Sequence, residues 1–173
     1  MKIEDIKSLI RSVPDFPKEG ILFRDITTVL QNPVALQATI DNAVASIKHL
    51  DVDIIAGIES RGFIFGMPIA QALGKGFVPI RKKGKLPAKT IAVEYALEYG
   101  TDTLEIHADA LSDGMKVLIV DDLLATGGTA CASAELVEKC GGTVAAFSFV
   151  IELDFLKGKE KLSHYPLYSL IHF

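Results

Sequence analysis

Cysteine is scarce in this chain, and what is absent narrows its class. The only two, Cys131 and Cys140, fall on one expected helix. Nine positions place them roughly 13 Å apart along its axis, too far for a disulfide. They read as free thiols in a reducing compartment, and Cys131 as a small packing residue rather than a reactive one. No hydrophobic run spans a bilayer: the longest uncharged apolar stretch, Gly62–Gly74, falls short of the ~18–20 residues a membrane helix needs. Met1–Ile10 is charged and amphipathic rather than leader-like, with Ile3, Ile6, Leu9 and Ile10 at helical spacing. A cytoplasmic protein is expected. Basic excess is also missing; the net charge of −4 argues against a general nucleic-acid binder.

Several catalytic signatures are absent as well. There is no G-x-x-x-x-G-K-[ST] loop, no G-x-G-x-x-G fingerprint and no G-x-S-x-G elbow. The four histidines, His49, His107, His164 and His172, lack metal-ligand spacing. These gaps point away from P-loop triphosphatases, dinucleotide enzymes, serine hydrolases and zinc enzymes. No repeat, low-complexity segment or linker divides the 173 residues, so one domain with a full hydrophobic core is expected. Its mean hydropathy of +0.33 is high for a small domain and hints at a buried subunit interface.

What is present alternates between strand and helix patterns. Asn32–Pro33 reads as an N-cap and first helical residue. Leu36, Ile40, Val44, Ile47 and Leu50 then form an apolar stripe. Strands are expected at Val52–Ala56, Phe77–Ile80, Leu104–Ala110, Val117–Val120 and Val144–Ile151, and helices at Phe63–Leu73 and Thr129–Cys140. The second of these helices should turn Ala130, Ala134 and Val137 inward. Such alternation predicts an α/β fold with a parallel sheet. Between Ile80 and Leu104 the pattern lapses into a segment that is basic first and aromatic later, long enough to read as an active-site lid.

The most telling stretch is Val117–Thr129, VLIVDDLLATGGT. An apolar strand ends in two acids, Asp121 and Asp122, where open α/β sheets bind ligands. The small, glycine-rich ATGGT loop then opens a helix, so its N–H groups can converge on a phosphate. One ligand with hydroxyls or metal at one end and phosphate at the other fits both parts. Gly57–Gly62, GIESRG, is a second strand-to-helix turn in which Ser60 and Arg61 can bind an anion; a solvated turn explains it equally well. Arg81, Lys82, Lys83 and Lys85 form a basic run. Such a run is ordinarily a solvated face, but in a lid it can clamp phosphate charge.

VLIVDDLLATGGT resembles the phosphoribosyl pyrophosphate motif of the type I phosphoribosyltransferases. FPKEGILFRDIT (16–27), AGIESRGFIFG (56–66), IRKKGKLP (80–87) and LEYG (97–100) extend the likeness over nearly the whole chain, toward the adenine branch of that family. The resemblance implies a parallel sheet flanked by helices, an N-terminal hood at about 14–30, a lid at about 81–103 and a homodimer. It implies transfer of 5-phosphoribose from 5-phosphoribosyl 1-pyrophosphate to adenine N9, giving AMP and pyrophosphate with Mg²⁺.

By the same resemblance, Asp121 and Asp122 accept hydrogen bonds from the ribose hydroxyls, and Ala125, Thr126, Gly127, Gly128 and Thr129 cradle the 5′-phosphate. Glu59, Ser60 and Arg61 form the pyrophosphate loop, with a cis peptide expected between Glu59 and Ser60. Arg61, Arg81, Lys82 and Lys85 hold the leaving pyrophosphate. Mg²⁺ is expected to bind mainly through substrate oxygens and water, with no protein metal ligand. Leu22, Phe23, Arg24 and Leu123 imply the base site, Glu98 an acid near the base, and Tyr95 and Tyr99 lid closure. A 6-oxopurine phosphoribosyltransferase shares the ribose-phosphate site, though FRDIT and LEYG favour adenine. A non-catalytic phosphoribosyl-pyrophosphate sensor would append a DNA-binding segment, for which the acidic chain leaves only one short N-terminal helix.

Overall fold

The computed structural model describes residues 1–96 and 100–173; Glu98 and Tyr99 lie outside them. In chain order the elements are α1 (Ile3–Leu9), β1 (Arg11–Val13), β2 (Phe23–Asp25), α2 (Thr27–Leu30), α3 (Pro33–Ile47), β3 (Ile54–Ile58), α4 (Arg61–Leu73), β4 (Gly76–Lys82), β5 (Thr90–Ala96), β6 (Thr101–His107), β7 (Lys116–Leu124), α5 (Gly128–Lys139), β8 (Thr143–Glu152), a 3₁₀ turn (Asp154–Leu156), α6 (Gly158–Lys161) and β9 (Leu167–His172). Among the described residues, no helix is long and apolar enough to cross a membrane.

Seven strands form one sheet in the order β5-β6-β4-β3-β7-β8-β9. β3, β4, β7, β8 and β9 run parallel; β6 and β5 add antiparallel at one edge. The inner parallel strands β3 and β7 carry apolar runs because helices cover both faces. Ile55 and Leu118 face a core shared with α1, α3 and α4. Ile58, Ile119 and Phe147 face the core under α5. After β3 the chain crosses to β4 on one side, and β7 later pairs on the other side. The carboxyl ends of β3 and β7 therefore flank the point where the winding reverses, the position at which doubly wound sheets bind ligands.

Two expectations change in detail. The segment after Ile80 is not all loop: β5 pairs with β6 from Thr90↔His107 to Ala96↔Thr101. Ile91, Val93 and Tyr95 alternate onto the α5-side core, a period-2 signal overshadowed by the lysine-rich run before it. In α3, Asn32 caps the first turn by accepting from the Val34 and Ala35 N–H groups. The face most deeply buried is Ala35, Ala38, Thr39, Ala43 and Ile47, while Leu36, Ile40 and Val44 stay half-buried. Small residues allow this helix to lie close to its neighbours, and the bulkier stripe covers the rim.

Near the N-terminus lies a short antiparallel pair, β1 with β2, joined by an ion pair between Arg11 and Asp25. The Arg11 hydrogen bond, with others from the Thr27 hydroxyl and N–H, lowers the Asp25 carboxyl to about 2. A depressed carboxylate stabilises the fold above its unfolded pKa, and that stabilisation disappears as pH falls through the folded value. Asp25→Asn should thus cost about 1 kcal/mol at pH 7, after allowance for solvent screening. It should cost almost nothing below about pH 2. Urea midpoints of both proteins at the two pH values check this; an equal loss at both would refute it.

Candidate active site

The ends of β3 and β7 open into a cavity of about 650 Å³, lined by Glu59, Ser60, Arg61, Lys82, Lys85, Tyr95 and the whole run Asp121–Thr129. Three sequence-distant motifs thus meet in one place. The cis peptide falls between Glu59 and Ser60, as expected.

Alternation along β7 sends the two acids in different directions. Asp122 is buried and pairs with Arg61, Nε to Oδ2 at 2.5 Å. Asp121 Oδ1 accepts the Asp122 N–H at 2.8 Å. Gly62 lets α4 start hard against this strand end: a Cβ there would lie 2.6 Å from the Val120 carbonyl oxygen and 3.1 Å from Asp121 Oδ1. Burial, and then the neighbouring charge of Asp122, push the Asp121 carboxyl well above its usual range. Burial also raises Asp122, against the pull of Arg61. Two desolvated acids beside one guanidinium are poised to respond to a partner that brings hydroxyl donors or positive charge.

Beyond them the chain turns through Ala125–Gly127, with Gly127 at φ +82°, and enters α5 at Gly128. Unpaired N–H groups of a helix's first turn attract anions. The loop rests on Gly158, where a Cβ would fall 2.2 Å from the Ala125 carbonyl oxygen and 3.0 Å from Gly127 N. On the cavity side, Thr129 Oγ1 donates to the Tyr95 hydroxyl at 3.5 Å, so β5 stands against the same turn.

On the far side of the acids lies the cationic arm. Glu59 accepts from the Lys82 N–H at 2.9 Å and pairs with Lys85 Nζ and Arg81 Nε, each at 3.3 Å. Burial alone would raise its carboxyl; the Lys82 N–H and the two cations outweigh burial and lower it. Its carboxylate is therefore engaged in holding cations, and like charge would repel a bound anion. Arg81 points to Glu59 and to the Lys85 carbonyl rather than lining the cavity. Lys82 Nζ reaches Asp102 at 3.2 Å.

Of the expected base residues, Leu123 lines the cavity, while Leu22, Phe23 and Arg24 do not. Phe23 packs edge-on against Phe16 and lies 5.8 Å from the Arg61 guanidinium. The Arg24 side chain turns away, stacking 3.9 Å over Phe173 and donating to Ser12 Oγ. Asp102, Leu104, Phe149 and Ala130 also line the cavity and were not expected. They come from strand interiors and a helix turn that carry no local motif, and Phe149 is aligned with Asp121 only through the β7–β8 register. Cys131 is half-buried against the core under α5, and burial pushes its thiol up, which disfavours the thiolate.

Residues 25–167 match the phosphoribosyl transferase domain family. An adenine phosphoribosyltransferase of Cyanothece sp. is 59% identical over 169 residues, covering 98% of this chain and 99% of the relative. The crystal structure of adenine phosphoribosyltransferase from Thermoanaerobacter pseudethanolicus superposes with a TM-score of 0.97 at 55% identity, covering 99% of this chain and all of that one. That of Saccharomyces cerevisiae, complexed with an imino-altritol bisphosphate and adenine, gives 0.91 at 44% identity and covers 97% of each chain. The chain belongs to the phosphoribosyltransferase family and, within it, to the adenine phosphoribosyltransferases.

Proposed function

We propose that the cavity divides the work of adenine phosphoribosyl transfer among three groups of residues. The carrying observation is the Asp121–Asp122 pair, the first half-buried and the second buried, standing between an anion-accepting helix end at Ala125–Thr129 and a cationic arm at Arg61, Lys82 and Lys85. A phosphate at each end of 5-phosphoribosyl 1-pyrophosphate matches that spacing of charge, with the ribose over the acids.

In this assignment N–H groups of Ala125–Thr129 and the hydroxyls of Thr126 and Thr129 bind the 5′-phosphate. Asp121 and Asp122 accept the ribose 2′- and 3′-hydroxyls. As the C1′–O bond to pyrophosphate lengthens, positive charge develops on the sugar, and the two carboxylates stabilise it. The electron pair leaves on the pyrophosphate oxygen, where Arg61, Lys82 and Lys85 meet the growing negative charge. Adenine N9 forms the new bond to C1′ as the bond to pyrophosphate breaks, and the N9 proton is released to water. Glu59 and Arg81 act as positioning residues that hold the lysines. Ser60 contributes through the backbone of the turn.

An oxygen donor suited to Mg²⁺ faces the cavity from Asp121; Glu59, Asp102 and Asp122 are engaged by cationic side chains. The protein would thus offer the ion few direct ligands, Asp121 foremost, and leave its other positions to substrate and water. When bound, the ion neutralises pyrophosphate charge.

Leu123 and Phe23 supply apolar faces for the purine, and the backbone of Leu22 and Arg24 its polar edge. Glu98 and Tyr99 keep the roles that the motif LEYG implies, with Tyr95 on the cavity wall. Exposed Ile64 and Met67 on α4 suit a homodimer contact, and free thiols suit the cytoplasm.

Offering adenine, hypoxanthine, guanine and xanthine separately, with 5-phosphoribosyl 1-pyrophosphate and Mg²⁺, tests the assignment. AMP and pyrophosphate should form in equal amounts from adenine. Nucleotide from a 6-oxopurine, with none from adenine, would overturn it.

A further inference from the structure

A second cleft lies at the carboxyl ends of β8 and β9. Parallel pairing sets Glu152 directly beside His172. Two backbone hydrogen bonds lock the crossing: Phe173 N–H to Glu152 O, and Asp154 N–H to Phe173 O, both 3.0 Å. Asp154 then begins the 3₁₀ turn. One donor atom from each of Glu152, Asp154 and His172 lies within 4.8 Å of the other two. His172 Nδ1 is 2.9 Å from Asp154 Oδ1 and 3.9 Å from Glu152 Oε2.

Glu152 is the telling member. Its side chain is only 6% exposed. Its Oε2 is sealed from solvent and accepts no hydrogen bond from the described residues. Buried carboxylate oxygens are ordinarily satisfied, and a charged one needs a cation or a donor. This oxygen points instead into a cluster whose other members are an imidazole and a second carboxylate.

We propose that Glu152, Asp154 and His172 bind one borderline divalent cation, of which Zn²⁺ is the type. Two carboxylates and a neutral imidazole balance a 2+ charge. An imidazole nitrogen with carboxylate oxygens suits Zn²⁺ better than Mg²⁺, which takes oxygen ligands in a near-octahedral shell. Around a tetrahedral ion with bonds of about 2.0–2.2 Å the donors stand roughly 3.3–3.6 Å apart, so the His172–Asp154 pair would open slightly and Glu152 would close in. Lys157 and Lys159 line the same cleft and oppose binding; Glu160, 3.8 Å from Lys157 Nζ, offsets part of that charge. The ion would fasten the ends of β8 and β9 to the turn that leads into Gly158. It is separate from the Mg²⁺ that accompanies pyrophosphate, and the proposal stands independently of the purine assignment.

The test is calorimetric titration of the metal-free full chain with ZnCl₂ and, separately, MgCl₂. One Zn²⁺ per chain should bind at this site, and excess Mg²⁺ should not displace it. Outer-sphere partners alone are worth about 10–100-fold in metal affinity, so loss of a ligand in His172→Ala or Glu152→Gln should weaken Zn²⁺ binding at least tenfold. Circular dichroism identifies which variants are folded, and either folded variant decides the matter. Zn²⁺ isotherms unchanged by substitution, or no Zn²⁺ binding in the parent chain, would overturn the site.

Discussion

Asp121→Asn combined with Asp122→Asn should lower kcat/KM for 5-phosphoribosyl 1-pyrophosphate by about 10²–10³-fold, the scale of losing a preorganised group aimed at developing charge. The fold should lose no stability at pH 7. Burial raises both carboxyls, and the charge of Asp122 raises Asp121 further. An acid whose folded pKa lies above its unfolded value contributes stability below the unfolded pKa and loses it as pH rises through the folded one. Ionising the pair is therefore a burden on folding, which the work proposed for it on substrate would explain. Asparagine keeps the shape, and its Oδ1 can still accept the Asp122 N–H that Asp121 now accepts. Arg61, with a side chain nearly half exposed, can hydrate once its charged partner is gone. Steady-state kinetics beside urea unfolding measure both effects. A kcat/KM within threefold of the parent, in a folded variant, would refute the role given to the acids.

The contrast between these acids and Glu59 shows what was legible in the sequence. In VLIVDDLLATGGT the strand, the acids and the helix-opening loop are consecutive, so one local pattern carries the geometry. The structure keeps it as β7 and α5. Glu59 also lies in a recognisable turn, but its function depends on which cations fold over it. Arg81, Lys82 and Lys85 come from the end of β4 and the turn beyond, a tertiary fact with no spacing in sequence. Asp102 and Phe149 face the cavity because of strand register, which hydrophobic pattern alone does not specify between distant strands. β9 escaped notice for a related reason. LYSLIH is a mixed, mostly half-buried edge strand, without the apolar run that exposed β3 and β7.

Gly158 is the most consequential residue of this hidden kind, and Gly158→Ala should raise KM for 5-phosphoribosyl 1-pyrophosphate sharply. The expected loss in kcat/KM is about 10–10²-fold, since a displacement near 1 Å at a binding group can cost 10²-fold. The new methyl would meet the Ala125 carbonyl oxygen at 2.2 Å and Gly127 N at 3.0 Å. Both are backbone, so no rotamer change relieves the contact. The two backbones already lie close on the other side as well: a Cβ placed on Gly127 would fall 2.7 Å from the Gly158 carbonyl oxygen. The loop that would hold the 5′-phosphate must move away, at a stability cost of about 1–3 kcal/mol for overpacking. Backbone strain does not explain the loss: Gly158 begins α6 and carries no positive φ. Gly74→Ala supplies the opposite control. Gly74 has φ +64° with nothing within 4 Å of its Cβ position, so that variant should lose about 1 kcal/mol of stability through backbone strain and keep its KM. Adenine KM should change little in either variant, because the purine would rest on Leu123 and the hood. If folded Gly158→Ala keeps the parent KM for 5-phosphoribosyl 1-pyrophosphate, the loop does not depend on this contact. If adenine KM rises equally, the damage extends beyond the phosphate end of the cavity.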